Sequence, residues 1–480
     1  MVIKLKNILL EGAKEKAAED FLSQIVKKSK WKGKVFIAGG YVRDELLGGD
    51  PKDIDLTVNA KDGGIKFAEW LTKKLGIYKS GTNPVVFKRF GTAQFRLRGI
   101  KHNGIDLSSL EIESVMTRKE KYTKGSRKPE VSGGSLKDDV ERRDFTVNSL
   151  LKDLSTGEIL DLTGMGKSDI KKGIVRTPLD PDIIFDEDPL RMLRAIRFTV
   201  KYNWLLPMFM IKALKRNASK LKNISTERIS DEFNKMMVTG SPDKAIRLLQ
   251  MTGLNKFVAP ELDVLRGLGQ NKYHDKDVMK HTLAVLKTVP PKLTTRLSAL
   301  FHDIGKATTK NVIDNEVHFY QHEDVSAEMA KTIMTRLKYP NDIIKKVYTS
   351  IKNHMRTKQY GKDAETVTDK TIRKLKSDLG DHLEDTLDLI HADNMSHAPS
   401  HNMPLQVSKL RNRLKDLDKE PMKPVLPIDG NVIMKVLKIK PSITVKHLLN
   451  KVKEAWFGNP SLTKKQAINI IKKEYKLMKK

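Results

Sequence analysis

The stretch VFIAGGYVRDELLGGDPKDIDLTV, from Val35 to Val58, constrains this chain more than any other. An apolar run ends in Gly39-Gly40, a short segment carries Arg43 and Asp44, and a polar loop leads to Asp53-x-Asp55 inside a second apolar run. The two apolar runs read as strands. The glycine pair closes the first without a Cβ, so its backbone N–H groups can approach a phosphate closely. Arg43, one helical turn beyond Gly40, reaches the same anion with a forked guanidinium. Asp53 and Asp55 are i and i+2 on a strand, so both point to one face. Two carboxylates that close repel unless a cation sits between them. Mg²⁺ suits the position, because it takes oxygen ligands and is usually shared with substrate phosphates. Together these are parts for in-line attack on a nucleoside triphosphate. A lone Asp-x-Asp would be two surface aspartates. The combination with Gly-Gly, Val-Arg-Asp and the twelve residues between Gly40 and Asp53 carries the reading.

The chain has 480 residues, 39% of them hydrophobic and 31% charged, which predicts about two to four domains with a heavily charged surface. Its 90 Lys and Arg against 59 Asp and Glu leave a formal charge of +31. That field favours a polyanionic partner, with nucleic acid first and a membrane surface second. The absence of cysteine excludes disulfides, thiolate metal ligands and cysteine nucleophiles. No run approaches the length of a membrane span. MVIKLKNILLEGAKEKAAED lacks the apolar core and cleavage site of a signal peptide and carries acids early, so a cytoplasmic protein is expected.

Residues 1–30 read as a short Lys-rich helix. From 31 to 176 the pattern mixes strands (VFIAGG, DIDLTV, PVVFKRF) with a helix, IKFAEWLTKKLG, stopped at Gly76. KYTKGSRKPEVSGGSLKDD reads as a Gly/Ser/Lys-rich loop poised over a site. Residues 177–265 and 270–400 read as helical, the latter holding most of the histidines. KEPMKPVLP, 419–427, is a Pro-rich linker before a small helical tail, 425–480. Residues 401–480 hold 19 Lys or Arg and only 6 Asp or Glu, so this end is built for an anionic partner.

GGYVRDELLGG followed by DIDL resembles the nucleotide-binding signature of the polymerase-β-like nucleotidyltransferase superfamily. Within it, the chain resembles the class II tRNA nucleotidyltransferase and bacterial poly(A) polymerase family. ERRDFTVNSL, 141–150, is similar to that family's second motif, which implies that Arg143 and Asp144 contact the ribose and phosphates of the incoming nucleotide, alongside Gly39, Gly40, Arg43 and Asp44. DEDPLRMLRAIRF, 186–198, resembles the family's templating helix. Asp188 and Arg191 are i and i+3, hence neighbours on one helix face. Asp accepts hydrogen bonds and Arg only donates. Cytosine and adenine each offer an amine beside a ring-nitrogen acceptor, whereas uracil and guanine put a carbonyl where that amine would be. One Asp/Arg pair can therefore accept C and A, and a mismatch leaves buried polar groups unpaired. Arg194 and Arg197 continue the face, and the resemblance has them helping to bind the nucleotide. TERISDEF, 226–233, resembles a further motif in which Glu227 and Arg228 are structural. For the third superfamily carboxylate the expectation is Asp106 in NGIDLSSLE.

LSALFHDIGK, 297–306, resembles the HD phosphohydrolase superfamily. Its pattern implies His281, His302, Asp303 and Asp393 as metal ligands, with His322 and His354 where a second metal's ligands often fall. Imidazole and carboxylate donors suit a divalent transition metal better than Mg²⁺. Such a site serves structure or the hydrolysis of phosphomonoesters or cyclic phosphates.

The expected architecture is α+β: a nucleotidyltransferase head with a mixed sheet (31–176), then an all-α neck/body (177–265), HD domain (270–400) and basic tail. The resemblance implies addition of C, C and A to the tRNA 3′ end from CTP and ATP, with Mg²⁺ held by Asp53 and Asp55. The tail and helical body would grip the acceptor and TΨC region through phosphates and A-form shape. Poly(A) polymerase, CC-only or A-only addition, a metal phosphohydrolase and a non-catalytic RNA-binding protein are the alternatives. No membrane and no obligate protein partner is expected.

Overall fold

The computed structural model describes residues 12–121, 130–270, 275–419 and 426–479. The chain forms two compact units, one of residues up to 236 plus 244–257, the other of 237–243 plus 258 onward.

The first unit is built on a seven-stranded mixed sheet. Its strands are β1 (Val35–Ala38), β2 (Ile54–Val58), β3 (Val85–Phe87), β4 (Thr92–Arg96), β5 (Glu111–Met116), β6 (Leu151–Asp153) and β7 (Ile159–Leu160), in the order β7-β6-β1-β2-β5-β4-β3. β1 is buried at all four positions, as a continuous apolar run in a covered sheet should be. It pairs antiparallel with β2, setting Ala38 opposite Asp55. β2 pairs parallel with β5, setting Asp55 opposite Glu113. The turn after β1 needs Gly39, whose φ is +71°. Helix Gly63–Lys74 lies on the sheet with Phe67, Ala68 and Leu71 buried. Gly64 allows the close approach, since a Cβ there would stand 2.5 Å from the carbonyl oxygens of Gly91 and Ser114.

Two short ribbons leave the sheet, Lys101–His102 with Ile105–Asp106 and Arg118–Lys121 with Glu130–Gly133. The second departs from the loop expected there; residues 122–129 lie outside the described ones. Helix α1 (Leu136–Glu141) lies between β5 and β6, and after the sheet come α2 (Pro181–Glu187), α3 (Leu190–Tyr202) and α4 (Thr226–Met237). α3 buries Met192, Leu193, Ala195, Ile196 and Val200 and leaves Arg191, Arg194, Arg197 and Lys201 on another stripe.

The second unit packs α5 (Val278–Thr288), α6 (Leu293–Phe301), α7 (His322–Arg336), α8 (Asn341–Lys352) and α9 (Leu383–Ser396) against one another. It is not all-α: Lys310–Ile313 and Glu316–Phe319 form an antiparallel hairpin, with Asp314 and Asn315 at positive φ in a tight turn. The last three helices (430–437, 443–458 and 464–478) share a core of Ile433, Leu448, Val452, Ala467 and Ile471. Residues 1–11 of the expected first helix, and 420–425 of the linker, lie outside the described residues.

Candidate functional site

In the first unit, Gly39, Gly40, Asp55, the start of α3 and Arg228 of α4 line a cleft of about 520 Å³. Eight cations line it (Arg43, Arg142, Arg143, Arg191, Arg194, Arg197, Lys201 and Arg228) against three acids, Asp55, Asp144 and Asp188. The glycines are where arginine heads pass: a Cβ on Gly39 would lie 3.3 Å from Arg143 Nη1, and one on Gly40 would lie 3.4 Å from Arg43 Nη2.

On the carboxylate side, the parallel pairing of β2 and β5 sets Glu113 beside Asp55 on the same face. The Asp55 carboxyl is pushed up to about 6, first by the desolvating walls around it, then by Glu113, and also by Asp53, against the pull of Arg143. Three acids thus crowd one point and raise the proton affinity of the middle one, which a divalent cation would relieve. Asp106 does not join them. It sits in the Lys101–Asp106 ribbon, with its carboxylate accepting from Ser108 N–H at 2.9 Å and Ser108 Oγ–H at 2.6 Å. Strand register thus places Glu113, and not the expected Asp106, beside Asp55, a placement that spacing alone does not reveal. Glu113→Gln is expected to lower the turnover of this site by about 10²–10³-fold, as losing one group that stabilises transition-state charge does. Asp106→Asn should stay within about two-fold. Steady-state kinetics of the two variants side by side checks the correction, and equal losses would overturn it.

The cations are held by acids behind them. Arg43 is buried, and its fork closes on its neighbour Asp44 at 2.8 Å through both Nε and Nη2, while Nη1 donates to Asn148 Oδ1 at 2.5 Å. The expectation that Arg43 turns its fork to the anion is thus corrected: its fork serves Asp44, which also accepts from the Tyr202 hydroxyl at 3.2 Å. Arg43 is further sandwiched against the rings of Phe198 and Tyr202, each 5.2 Å away. Arg143 donates to Asp139 at 2.9 Å and to Thr57 Oγ1 at 3.2 Å. Asp139 is buried and still holds below the usual carboxylate range, because Arg143 and Arg142 outweigh its burial. Asp144 is buried and accepts two bonds from Arg194, at 2.9 and 2.5 Å, and one from Asn148. Burial raises its pKa but Arg194 and Asn148 outweigh that, so it too lies low. Arg197 Nε lies 2.7 Å from Glu232, a buried acid of α4.

Asp188 and Arg191 both line the cleft, but not as neighbours on one helix. Asp188 is the extended residue between α2 and α3, at φ −140° and ψ 98°. Its Oδ1 caps α3 by accepting from Leu190 N–H at 3.1 Å, and its Oδ2 accepts from Arg228 at 3.1 Å. Arg191 donates to Glu187 at 3.0 Å and to the Arg142 carbonyl at 2.7 Å. Arg228, expected to be structural, is thus part of the cleft wall. Arg142 and Lys201 were also missed; Lys201 prolongs the Arg191/Arg194/Arg197 stripe, a signal present in the sequence.

The second unit gathers the expected histidines. His281 Nε2 lies 3.0 Å from Asp393 and 3.6 Å from Asp303, and His302 Nε2 lies 3.2 Å from Asp303. His322 and His354 approach the other Asp303 oxygen at 3.4 and 4.0 Å. His302, His322 and His354 each donate Nδ1–H to a backbone carbonyl three residues earlier, at 2.9, 2.8 and 2.6 Å. A carbonyl only accepts, so these bonds put the proton on Nδ1 and turn the Nε2 lone pairs toward the carboxylates. His302 Nε2 and Asp303 Oδ1 are buried and make no hydrogen bond. Lone pairs facing lone pairs in a buried site call for a cation, and the His/Asp donor set fits a divalent metal. Lys306 and Lys358 each pair with one of the aspartates at 2.7 Å, and His397 stands 3.5 Å from Asp393. Burial pushes His354 down to about 3, helped by His302 and His322. Asp303 and Asp393 lie well below the usual range: burial raises both, but the His302 imidazole and the Lys306 ammonium for the one, and Lys358 for the other, outweigh it. A neighbouring cavity of about 530 Å³ gives access to the cluster.

Residues 35–176 match the poly(A) polymerase head domain family, 210–265 the family described as a probable RNA and SrmB binding site of polymerase A, and 276–386 the HD domain family. The chain is 34% identical over 236 residues to the mitochondrial CCA tRNA nucleotidyltransferase of Saccharomyces cerevisiae, covering 46% of this chain and 41% of that protein. It is 31% identical over 325 residues to the multifunctional CCA protein of Herminiimonas arsenicoxydans, covering 64% of this chain and 70% of that protein. Across the first curated relatives it matches, the chain spans between 41% and 56% of their length. Its fold is similar to the crystal structure of the Bacillus stearothermophilus CCA-adding enzyme in complex with CTP, with a TM-score of 0.67 at 20% identity, over 97% of this chain and 98% of that one. No helix among the described residues is long and apolar enough to cross a membrane.

Proposed function

The chain belongs to the tRNA nucleotidyltransferase and poly(A) polymerase family, and we propose that it adds C, C and A to the 3′ end of tRNA from CTP and ATP, releasing pyrophosphate. The observation that carries this reading is the cleft in which Asp55, its proton affinity raised by desolvation, Glu113 and Asp53, stands among eight cationic side chains. In this reading residues 31–176 are the catalytic head, 177–265 select the nucleotide, 270–400 hold a second metal and 425–480 bind tRNA.

Asp53, Asp55 and Glu113 would hold divalent ions, Mg²⁺ by its preference for carboxylate and phosphate oxygens. Ions held there would supply Lewis-acid stabilisation of the attacking 3′ hydroxyl and of the leaving oxygen. The hydroxyl oxygen forms a bond to the α-phosphorus, its proton goes to solvent, and the bond from that phosphorus to the β-bridging oxygen breaks. Arg143, Arg194 and Arg197 line the cleft while each is held by an acid behind it, so the triphosphate would meet preorganised charge. Asp188 accepts the amine of cytosine or adenine in exchange for its Arg228 partner, and Arg191 donates to the adjoining ring nitrogen. Uracil and guanine would leave both groups unpaired.

The test is extension of a tRNA lacking its last three nucleotides, with an unstructured RNA as control and each triphosphate alone or CTP with ATP. Growth by three nucleotides followed by a stop, on tRNA only, is expected. A long A tail on both RNAs would make the protein a poly(A) polymerase, and growth by C-C or A alone would make it a partial adder. Failure to extend, with phosphate released from small esters, would move the activity to the second unit.

We assign the His/Asp cluster of the second unit a divalent transition metal, held by His281, His302, Asp303 and Asp393. Purified protein should carry about one equivalent by elemental analysis, as four donors of this kind imply. His302→Ala should lose the metal while nucleotide addition stays within about two-fold, because the two clusters lie in different compact units. Full metal retention in the variant would refute the ligand set.

A further inference from the structure

At the far ends of β1 and β2 from the catalytic cleft lies a second concavity, of about 490 Å³. Gly39 and Asp53 flank the strand ends at the cleft; Lys34 precedes β1 and Lys61 follows β2 at the other ends. Strands of this length separate the two places by about 15 Å. The concavity is lined by Lys30, Lys34, Lys61, Lys66 and Lys73, and the only acid on its wall is Glu69. All five lysines are exposed. Lys66 pairs with Asp62 at 3.2 Å, whereas Lys30, Lys34, Lys61 and Lys73 have no carboxylate partner among the described residues. Four ammonium groups without a paired carboxylate around one hollow repel each other and attract a polyanion.

The wall between them is aromatic. Trp31 is 5% exposed and packs against Phe67 edge-on and Trp70 at 6.2 Å. The Trp31 indole N–H is buried and has no acceptor. Trp70 is half-buried, and Lys74 Nζ lies 5.8 Å from its ring. Lysines that track a phosphodiester chain, beside an indole face that can take an unstacked base, are what sequence-tolerant single-strand binding uses.

We propose that this hollow on the back of the head is an RNA contact separate from the catalytic cleft, taking a single-stranded segment with phosphates on Lys30, Lys34, Lys61 and Lys73 and one base against Trp70. The contact goes beyond nucleotide addition and does not require it. It extends the footprint of the head to RNA that does not enter the cleft.

The test uses the full chain and a fluorescein-labelled unstructured RNA 12-mer, read by anisotropy between 50 and 200 mM KCl, with a parallel photocrosslink through 4-thiouridine. In the wild type a crosslink to the tryptic peptide holding Trp70 is expected. In the Lys34→Glu/Lys61→Glu double variant that crosslink should disappear and the dissociation constant should rise at least about five-fold. The log–log salt slope should fall by about 1.4, as two lost phosphate contacts to a single strand predict. Trp70→Ala should weaken binding without changing the slope. Thermal melting of each variant excludes misfolding, since all three side chains are at least partly exposed. Unchanged affinity and slope in the double variant, with crosslinks elsewhere only, would overturn the proposal. So would loss of binding to phosphatidylglycerol vesicles with RNA binding intact, which would make the hollow a membrane contact. Nucleotide addition measured on the same samples is expected near wild type, so failure of this contact and failure of the catalytic reading give different results.

Discussion

On the proposed function, Asp55→Asn is expected to abolish nucleotide addition to within detection, a fall in kcat of about 10³-fold or more. The carboxylate is the centre of a three-acid group, and a metal that stabilises both the attacking and the leaving oxygen is worth several kcal/mol, with each 1.36 kcal/mol being a factor of ten. The fold should not suffer. Asp55 carries a pKa raised to about 6 by its surroundings, Glu113 and Asp53, so a neutral amide removes repulsion rather than support. The expected signature is lost turnover with an unchanged or slightly higher melting temperature. Single-turnover kinetics at saturating CTP, beside a melting curve, reads both. A variant that retained a tenth of the wild-type rate would remove Asp55 from the metal site.

Asp144→Ala should be the most destabilising single change in the cleft, yet Asp144 acts there through another residue. Its carboxylate accepts from Arg194 twice, from Asn148 and from the Phe145 N–H. Removing it orphans a buried amide and leaves Arg194 only the more distant Glu232, at 3.8 Å. Breaking such a pair costs about 3 kcal/mol, the low end for buried ion pairs, because Arg194 stays one-third exposed. The KM for CTP and ATP should rise together, since Arg194 loses its anchor whichever base is bound. Acid narrows the gap. The folded Asp144 pKa is depressed, so its contribution is complete above the unfolded value of about 3.9 and fades as pH falls through the lower folded value. Urea denaturation at pH 7 and at pH 3.5 checks both parts. An equal wild-type-to-variant difference at the two pH values would show that the stabilisation is not ionic.

Much of the cleft could be read from the linear chain because its parts are local. The glycine pair, Asp55 with Asp53 just ahead of β2, and the arginine stripe of α3 are each set by spacing within one turn, at one strand's start or within one helix. The same holds for His302-Asp303, whose neighbours in sequence are also neighbours in space. Misreadings arose wherever a role depends on a partner far along the chain. Asp106 and Glu113 are both acids in strand-like segments, and only the β2–β5 register tells which stands beside Asp55. Asp188 and Arg191 have helical spacing, but Pro189 follows Asp188 and disfavours the α conformation there, so the helix begins after it. Arg228 looked structural until α4 came to rest against the same cleft.

From its residues alone the chain could set the chemistry: carboxylates and cations for a triphosphate, imidazoles and aspartates for a second metal, and a surplus charge of +31 for an RNA. Those follow from side-chain type and short-range geometry, which the backbone imposes wherever it is helix or strand. The folded chain decided which of many similar side chains stand together. It brought Glu113 to Asp55, turned Arg43 onto Asp44, set Asp144 behind Arg194, and left four lysines around a hollow beyond the strands without a paired carboxylate. Strand register and long-range ion pairing join residues separated by tens of positions, and local periodicity carries no record of such pairings.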